Sequence, residues 1–257
     1  MTDQSEQDTL GDPEFTLTVL GCSGTYADSG GAGSGYLLRS PEATVWHDCG
    51  PGSLGNLQRH VPLAALDAVV ISHSHPDHWV ELPVLFNALR YDLGIAGLDV
   101  YLTAETKELA QNVIGQPESP TLRFHVVDQS STMCIGDQSW SFVLADHPVE
   151  TLASRVRACD RTFVFSADTG PGFDIAPFGT GIDLFLCEAT FGSEMESDTA
   201  PHLSARQAGM LAKRGGVERL MLTHLLPGTD GPNHLHEAER AYGSPVEQAM
   251  VGRTYAI

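Results

Sequence analysis

The chain has 257 residues, with 33 acidic against 14 basic side chains and a formal net charge of −19. Such a length supports one layered domain with a sizeable core, and the negative surface disfavours tight, salt-sensitive contact with long nucleic acid. A small phosphate substrate stays open, because bound dications reverse the local field.

Residues 1–14 are polar and acidic and are predicted to be a disordered tail, leaving residues 15–257 as a single domain. The run FTLTVLG alternates as a strand, and CSGTYADSGGAGSGYLL reads as a Gly/Ser loop entering a second. TVWHDCG and LDAVVIS follow as neighbouring buried strands. ELPVLFNALRYDLGIAG is apolar on nearly every face, which predicts a helix buried in the core or at a contact between two copies of the chain. LDVYLTA, ETKELAQNVIG and LRFHVVD read strand, helix, strand, and QSWSFVLADH, TLASRVRA and RTFVFSADTG read as three more strands. IDLFLCEAT, SARQAGMLAKRG and ERLMLTH then give strand, helix and strand, with a closing helix near HLHEAERAYG. Strands separated by helices in both halves predict a layered α/β sandwich.

The N-terminus lacks the basic-then-apolar pattern of an export signal, and no run of about 18 apolar residues marks a membrane span. The five cysteines, Cys22, Cys49, Cys134, Cys159 and Cys187, form no C-x-x-C pair. Reduced thiols in the cytoplasm, with no membrane partner, are the expectation. Arg155, Arg157 and Arg161 make the closest approach to a basic patch, but Asp160 interrupts them on what reads as a hairpin.

The densest chemistry lies in Ser-His-Ser-His-Pro-Asp-His, residues 72–78, directly after LDAVVIS. In an extended segment side chains alternate, so His73 and His75 point the same way and can share one metal. The turn at Pro76 lets Asp77 and His78 reach a second. Imidazole nitrogen and carboxylate oxygen are zinc ligands by type, and manganese or iron accept the same set.

This H-x-H-x-D-H spacing resembles the signature of the metallo-β-lactamase superfamily, and the likeness continues in order along the chain. The resemblance implies a four-layer αβ/βα sandwich and two divalent metal ions, zinc first among them. His147 in LADHP matches the family's third-motif histidine and completes the first metal's set. Asp168 in FSADTGP matches the bridging carboxylate, and His224 in LMLTHL the final histidine. Lactam-hydrolysing members often carry cysteine or serine where Asp168 stands, which disfavours antibiotic hydrolysis. The chain also lacks the flavodoxin-like module of the oxygen- and nitric-oxide-reducing branch. LTVLGCSG and HDCGPGSLGNLQ resemble glycine-rich loops bordering the metal cleft, where Asp48 is a candidate acceptor for a ligand histidine's other nitrogen. Glu81, one turn beyond His78, is a weaker candidate for such a role. His47, His60, His125, His234 and His236 carry no motif and read as surface or structural residues.

Cys187-Glu188-Ala189-Thr190 and His202-Leu203-Ser204 resemble paired motifs of the tRNase Z branch, which cleaves phosphodiesters. There His202 would face the scissile phosphate and Glu188 would orient it. Ser204 with Gln207 also reads as a capping box opening the following helix, and the two roles are compatible. True tRNase Z enzymes insert a long arm between the third-motif histidine and the bridging aspartate, whereas His147 and Asp168 are 21 positions apart here. The remaining pattern resembles short actinobacterial relatives with cyclic nucleotide phosphodiesterase activity. The implied function is two-metal hydrolysis of a small phosphodiester, with catalytic roles for Asp77, His202 and Glu188. Rival readings are a tRNase Z-like endoribonuclease, a lactone, thioester or sulfate-ester hydrolase, and a nucleotide-binding module without turnover.

Overall fold

A computed structural model describes residues 15–257; the tail expected over residues 1–14 lies outside the described residues. The first half contains β1 (Thr16–Gly21), β2 (Gly35–Ser40), β3 (Ala43–His47), α1 (Ser53–Leu57), β4 (Ala68–Val70), α2 (Pro76–Trp79), α3 (Leu82–Asn87), β5 (Leu98–Leu102), α4 (Ala104–Ile114) and β6 (Leu122–Val126). The second contains β7 (Thr132–Ile135), β8 (Gln138–Leu144), β9 (Leu152–Ala158), β10 (Arg161–Phe165), β11 (Leu184–Glu188), α5 (Ala205–Gly215), β12 (Arg219–Thr223), α6 (Gly231–Tyr242), β13 (Val246–Gln248) and β14 (Thr254–Ala256).

Two seven-stranded sheets result, in the orders β14-β1-β2-β3-β4-β5-β6 and β13-β12-β11-β10-β9-β8-β7. Between them lies a core that includes Phe15, Tyr36, Val45, Val70, Trp140, Phe163 and Leu186. A second core packs Trp46, Val69, Leu85, Phe86 and Val100 beneath the helices of the first half. A third packs Phe185, Leu220, Ala208 and Ala238 between the other sheet and α5 and α6. These three cores separate four layers, the αβ/βα sandwich of the metallo-β-lactamase fold.

Strands β3 to β6 run parallel to one another, as do β10 to β13. Helices on one face and the opposite sheet on the other explain why AVV in β4 and LFLCE in β11 are buried at every position instead of alternating. Parallel packing also sets all their C-terminal ends on one side, where the loops carrying His73, Asp168, Glu188 and His224 meet.

Three details differ from expectation. The apolar stretch 81–97 is helical without a gap over Leu82–Leu93, but it passes from α3 into a π-helical turn over Ala88–Leu93, and Gly94 ends it at φ 64°. Pro83 stands in the first turn of α3, where its missing N–H costs nothing. Leu82, Leu85, Phe86 and Leu89 enter the core, whereas Val84, Tyr91 and Leu93 face outward. Strands β7, β13 and β14, each of three or four residues, were not expected. All five cysteines are free, and no helix among the described residues is long and apolar enough to cross a membrane.

Candidate metal centre

The segment after β4 stays extended through His75, and Pro76 then starts α2 at a position where its missing N–H costs nothing. His73 and His75 therefore reach the same point, and one helical turn swings Asp77 and His78 toward another. His147 arrives from the loop after β8, Asp168 from the loop after β10, and His224 from the end of β12.

Two groups form, sharing one residue. His73, His75, His147 and Asp168 bring one ligand atom each within 4.8 Å of one another, and so do Asp77, His78, Asp168 and His224. In the first, His73 Nε2 and His147 Nε2 lie 3.2 and 3.0 Å from His75 Nδ1, with Asp168 Oδ2 3.6 Å from His73 Nε2. In the second, Asp168 Oδ1 lies 3.2 Å from His78 Nε2 and 3.4 Å from His224 Nε2. His78 Nε2 and His224 Nε2 are 3.4 Å apart, and Asp77 Oδ2 is 3.2 Å from His224 Nε2.

Bonds of about 2.0–2.1 Å in a tetrahedral site give ligand-to-ligand edges of about 3.3 Å. Spacings of 3.0–3.6 Å thus match the edges of two coordination polyhedra. The alternative, a network of histidines bonded to one another, leaves nitrogen lone pairs facing each other. Asp168 Oδ1 is also buried without a hydrogen-bond donor, which a cation held by the second group would remedy. The residues fit a pair of divalent ions.

Behind the ligands, hydrogen bonds fix which ring nitrogen stays free. His78 Nδ1–H donates to Asp48 Oδ2 at 2.8 Å. Ser72 Oγ donates to the same carboxylate at 2.9 Å and stands 3.0 Å from His73 Nδ1, so it accepts from that ring. The same relay recurs at His224: its Nδ1 lies 2.9 Å from Thr190 Oγ1, which donates to Glu188 Oε2 at 2.8 Å. His147 Nδ1–H donates to the Pro201 carbonyl at 3.0 Å. Each arrangement leaves Nε2 as a lone-pair donor aimed at the metal position.

These carboxylates are stabilised as anions. Burial works against ionised Asp48, yet the charges and hydrogen bonds of His78 and His47 outweigh it and hold the carboxyl well below its ordinary range. Burial likewise opposes Asp168, and neighbouring His224 and His78 hold it low.

Backbone strain shapes the site as well. Asp48, Ala167 and His224 take left-handed φ of 60°, 51° and 57°. A non-glycine residue there costs about 1–3 kcal/mol, and such strain concentrates where a chain must be aimed. Each lies at or just beyond a strand end: His224 is itself a ligand candidate, Ala167 precedes Asp168, and Asp48 turns its carboxylate onto the Nδ1–H of His78 behind the ligands. Two glycines admit close approach. A Cβ on Gly24 would meet the His224 carbonyl oxygen at 2.6 Å and its Nδ1 at 2.9 Å, and a Cβ on Gly50 would meet the backbone carbonyl oxygen of Asp77 at 2.0 Å. Next to Gly24, Thr25 donates its N–H to Asp77 Oδ2 at 2.9 Å.

Glu188 and His202 stand beside the second group. His202 Nδ1 is 2.9 Å from Glu188 Oε1, and the His202 ring lies 5.4 Å from that of His224 and 5.3 Å from that of His147. Glu188 is fully buried and also accepts from Thr169 N at 2.7 Å and Leu203 N at 3.3 Å. Burial opposes a charged His202, but the bond to Glu188 prevails and raises its pKa to about 8. Ser204 and Gln207 form the capping box on α5, which anchors the His202 loop from its other side.

Among the remaining sequence candidates, Glu81 does not serve the metal site: it accepts from Gly52 N at 2.8 Å and from Leu54 N, holding the start of α1. Buried His47 bonds Ser154 Oγ at 2.9 Å, and His125 pairs with Asp99 at 2.6 Å. Sequence reasoning missed Ser72, Thr190 and Thr25. The first two sat within motifs already singled out, but nothing in their identity reveals a hydroxyl relay until the strand ends are in place.

Fold and site together define a metal-dependent hydrolase. The chain belongs to the beta-lactamase superfamily: the family model for the beta-lactamase superfamily domain matches residues 43–225, which span every ligand candidate. An uncharacterized protein of Mycobacterium tuberculosis, Rv1339, is 31% identical over 253 residues, covering 94% of this chain and 92% of its own length. The probable metallo-hydrolase YhfI of Bacillus subtilis is 29% identical over 249 residues, covering 92% and 97%. Its crystal structure superimposes with a TM-score of 0.86 over 95% of this chain and 99% of that one. The short form of human tRNase Z shares the fold at a TM-score of 0.75 and 17% identity, over 94% of this chain and 99% of its own.

Proposed function

We propose that the protein is a two-metal phosphodiesterase that hydrolyses a small phosphodiester, a cyclic nucleotide foremost. The observation that carries this reading is the Glu188–His202 pair, 2.9 Å apart, set against the ring of His224. A thioester's thiolate departs without a proton, whereas a phosphodiester expels an alkoxide from an already anionic phosphate and gains from both charge stabilisation and a proton at that point.

Substrate size and charge follow from two further features. Only β9 and β10 and their turns fill the chain between His147 and Asp168, leaving no arm to grip a folded RNA. Among the described residues, no lysine or arginine hydrogen-bonds or ion-pairs with the ligand candidates, Glu188 or His202. A diester's single negative charge suits such a site better than a polyanion.

When bound, the ions supply Lewis acidity and make water a nucleophile near neutral pH. His73, His75, His147, Asp77, His78, Asp168 and His224 would hold them, zinc being the first choice for a histidine-rich set. Asp77, fixed by Thr25 N–H, orients the attacking water and accepts its proton. His202, held by Glu188, faces the phosphate and gives a proton to the departing O3′. The free thiols accord with a cytoplasmic protein, and we assign Val84, Tyr91 and Leu93 to a homodimer contact that light scattering would detect. Hydrolysis of bis(p-nitrophenyl) phosphate by metal-loaded protein, set beside a lactone and a thioester, tests the reading: ester preference for phosphate supports it, and turnover of the other two alone overturns it.

A further inference from the structure

The outer face of the second sheet holds a cationic hollow. Several arginines of this acidic molecule meet carboxylates: Arg123 with Asp99 at 2.7 Å, Arg161 with Asp183 at 2.7 Å, Arg219 with Glu247 at 2.9 Å, and Arg206 with Glu196. Arg155 and Arg157 have no carboxylate partner among the described residues. In β9, Val156 between them packs into the core between the sheets, so both arginines point the other way.

Strand register builds a grid around them. Arg155 lies opposite Ser141 and Ser141 opposite Thr132, while Arg157 lies opposite Ser139 and Ser139 opposite Cys134. Together these six line a hollow of about 490 Å³. Two positions along a strand set the arginines about 6.5 Å apart. A merely solvated pair would have its donors in water. Arg155 Nε is instead buried without a partner, and both burial and the neighbouring Arg157 oppose the Arg155 charge. An unpaired donor and two adjacent like charges are conditions that an anion relieves.

We propose that this hollow is a second ligand site, taking a phosphate-bearing small molecule between the guanidinium groups of Arg155 and Arg157 and the hydroxyls of Ser139, Ser141 and Thr132. Planar guanidinium forks match tetrahedral oxyanions with two parallel bonds each. The volume exceeds that of inorganic phosphate and falls within the range of small-molecule sites. It lies on the face of the sheet turned away from the first sheet, so occupancy there does not depend on the chemistry at the metal centre.

Calorimetric titration of the metal-loaded protein with inorganic phosphate, at ionic strength held constant with chloride, tests this. The wild type should show two classes of site and the doubly substituted R155Q/R157Q protein one, with hydrolysis of bis(p-nitrophenyl) phosphate and melting temperature unchanged. Equal stoichiometry in both proteins overturns the proposal. Should the double variant not fold, Cys134 reports directly: in a Cys159→Ser background, phosphate should slow its modification by an uncharged maleimide at least fivefold. A rate indifferent to phosphate overturns the proposal equally.

Discussion

Asp48 accepts the Nδ1–H of His78 at 2.8 Å, and neither side chain is exposed to solvent. The same carboxylate holds Ser72, whose hydroxyl orients His73, so one buried anion positions a ligand candidate of each metal group. Asp48→Asn should therefore weaken metal binding roughly 10- to 100-fold, measured by competition with a chromophoric chelator. Affinity within twofold of wild type would show that the imidazoles hold their orientation without it.

Removing the metal should destabilise the fold. His73, His78, Asp168 and His224 are buried with their lone pairs converging, and ions bind this arrangement only in the folded chain. At free metal about 1,000 times Kd the stabilisation is about 4 kcal/mol, equivalent to roughly 10 °C for a domain of this size. Calorimetry before chelation, after chelation and after zinc is restored checks this; an unshifted transition contradicts it.

His202→Ala should lower kcat at least about 100-fold and leave two ions per chain, as read by elemental analysis. Glu188→Gln should lower kcat as well and, because Thr190 links Glu188 to His224, weaken metal binding too. Turnover intact in His202→Ala would remove that residue from the mechanism.

Gly24→Ala should act on the site more than on the fold. The added methyl would press on the carbonyl and ring of His224, displacing one ligand candidate while the three cores stay as they are. Metal content near one ion per chain with a melting temperature between those of metal-loaded and metal-depleted wild type is the expected outcome; two ions and full activity would contradict it.

Thiol chemistry should follow burial. The thiol of Cys22 is pushed up to about 11 by burial, so its thiolate is scarce at pH 8 and grows only as pH rises toward that value. Cys134 and Cys159 are exposed. Mass spectrometry after iodoacetamide at pH 8 should find those two modified and Cys22 untouched; rapid Cys22 labelling contradicts the packing around it.

Much of this architecture is legible in the sequence because its signals are local. His73 to His78 lie within six residues, and the strands leading to Asp168, Glu188 and His224 are buried on both faces and read as apolar runs. What is not legible depends on distant partners. Ser72 and Thr190 look like any hydroxyl residues until Asp48 and Glu188 stand behind them. The switch from α- to π-helical bonding at Ala88 lies inside an apolar run whose composition gives no sign of it. Asp160 interrupts the arginines in sequence, yet strand alternation and the Arg161–Asp183 pair leave Arg155 and Arg157 side by side. Strands β13 and β14 are too short for a periodic signal and form only because β12 and β1 offer edges.

The most direct measurement is hydrolysis of cyclic AMP by metal-loaded protein, beside a tRNA precursor, with Asp77→Ala as control. Turnover of the cyclic nucleotide that falls at least about 100-fold in the variant, with the precursor left whole, is the predicted result. Cleavage of the precursor alone, or no phosphodiester cleavage by protein holding two ions, would contradict the account.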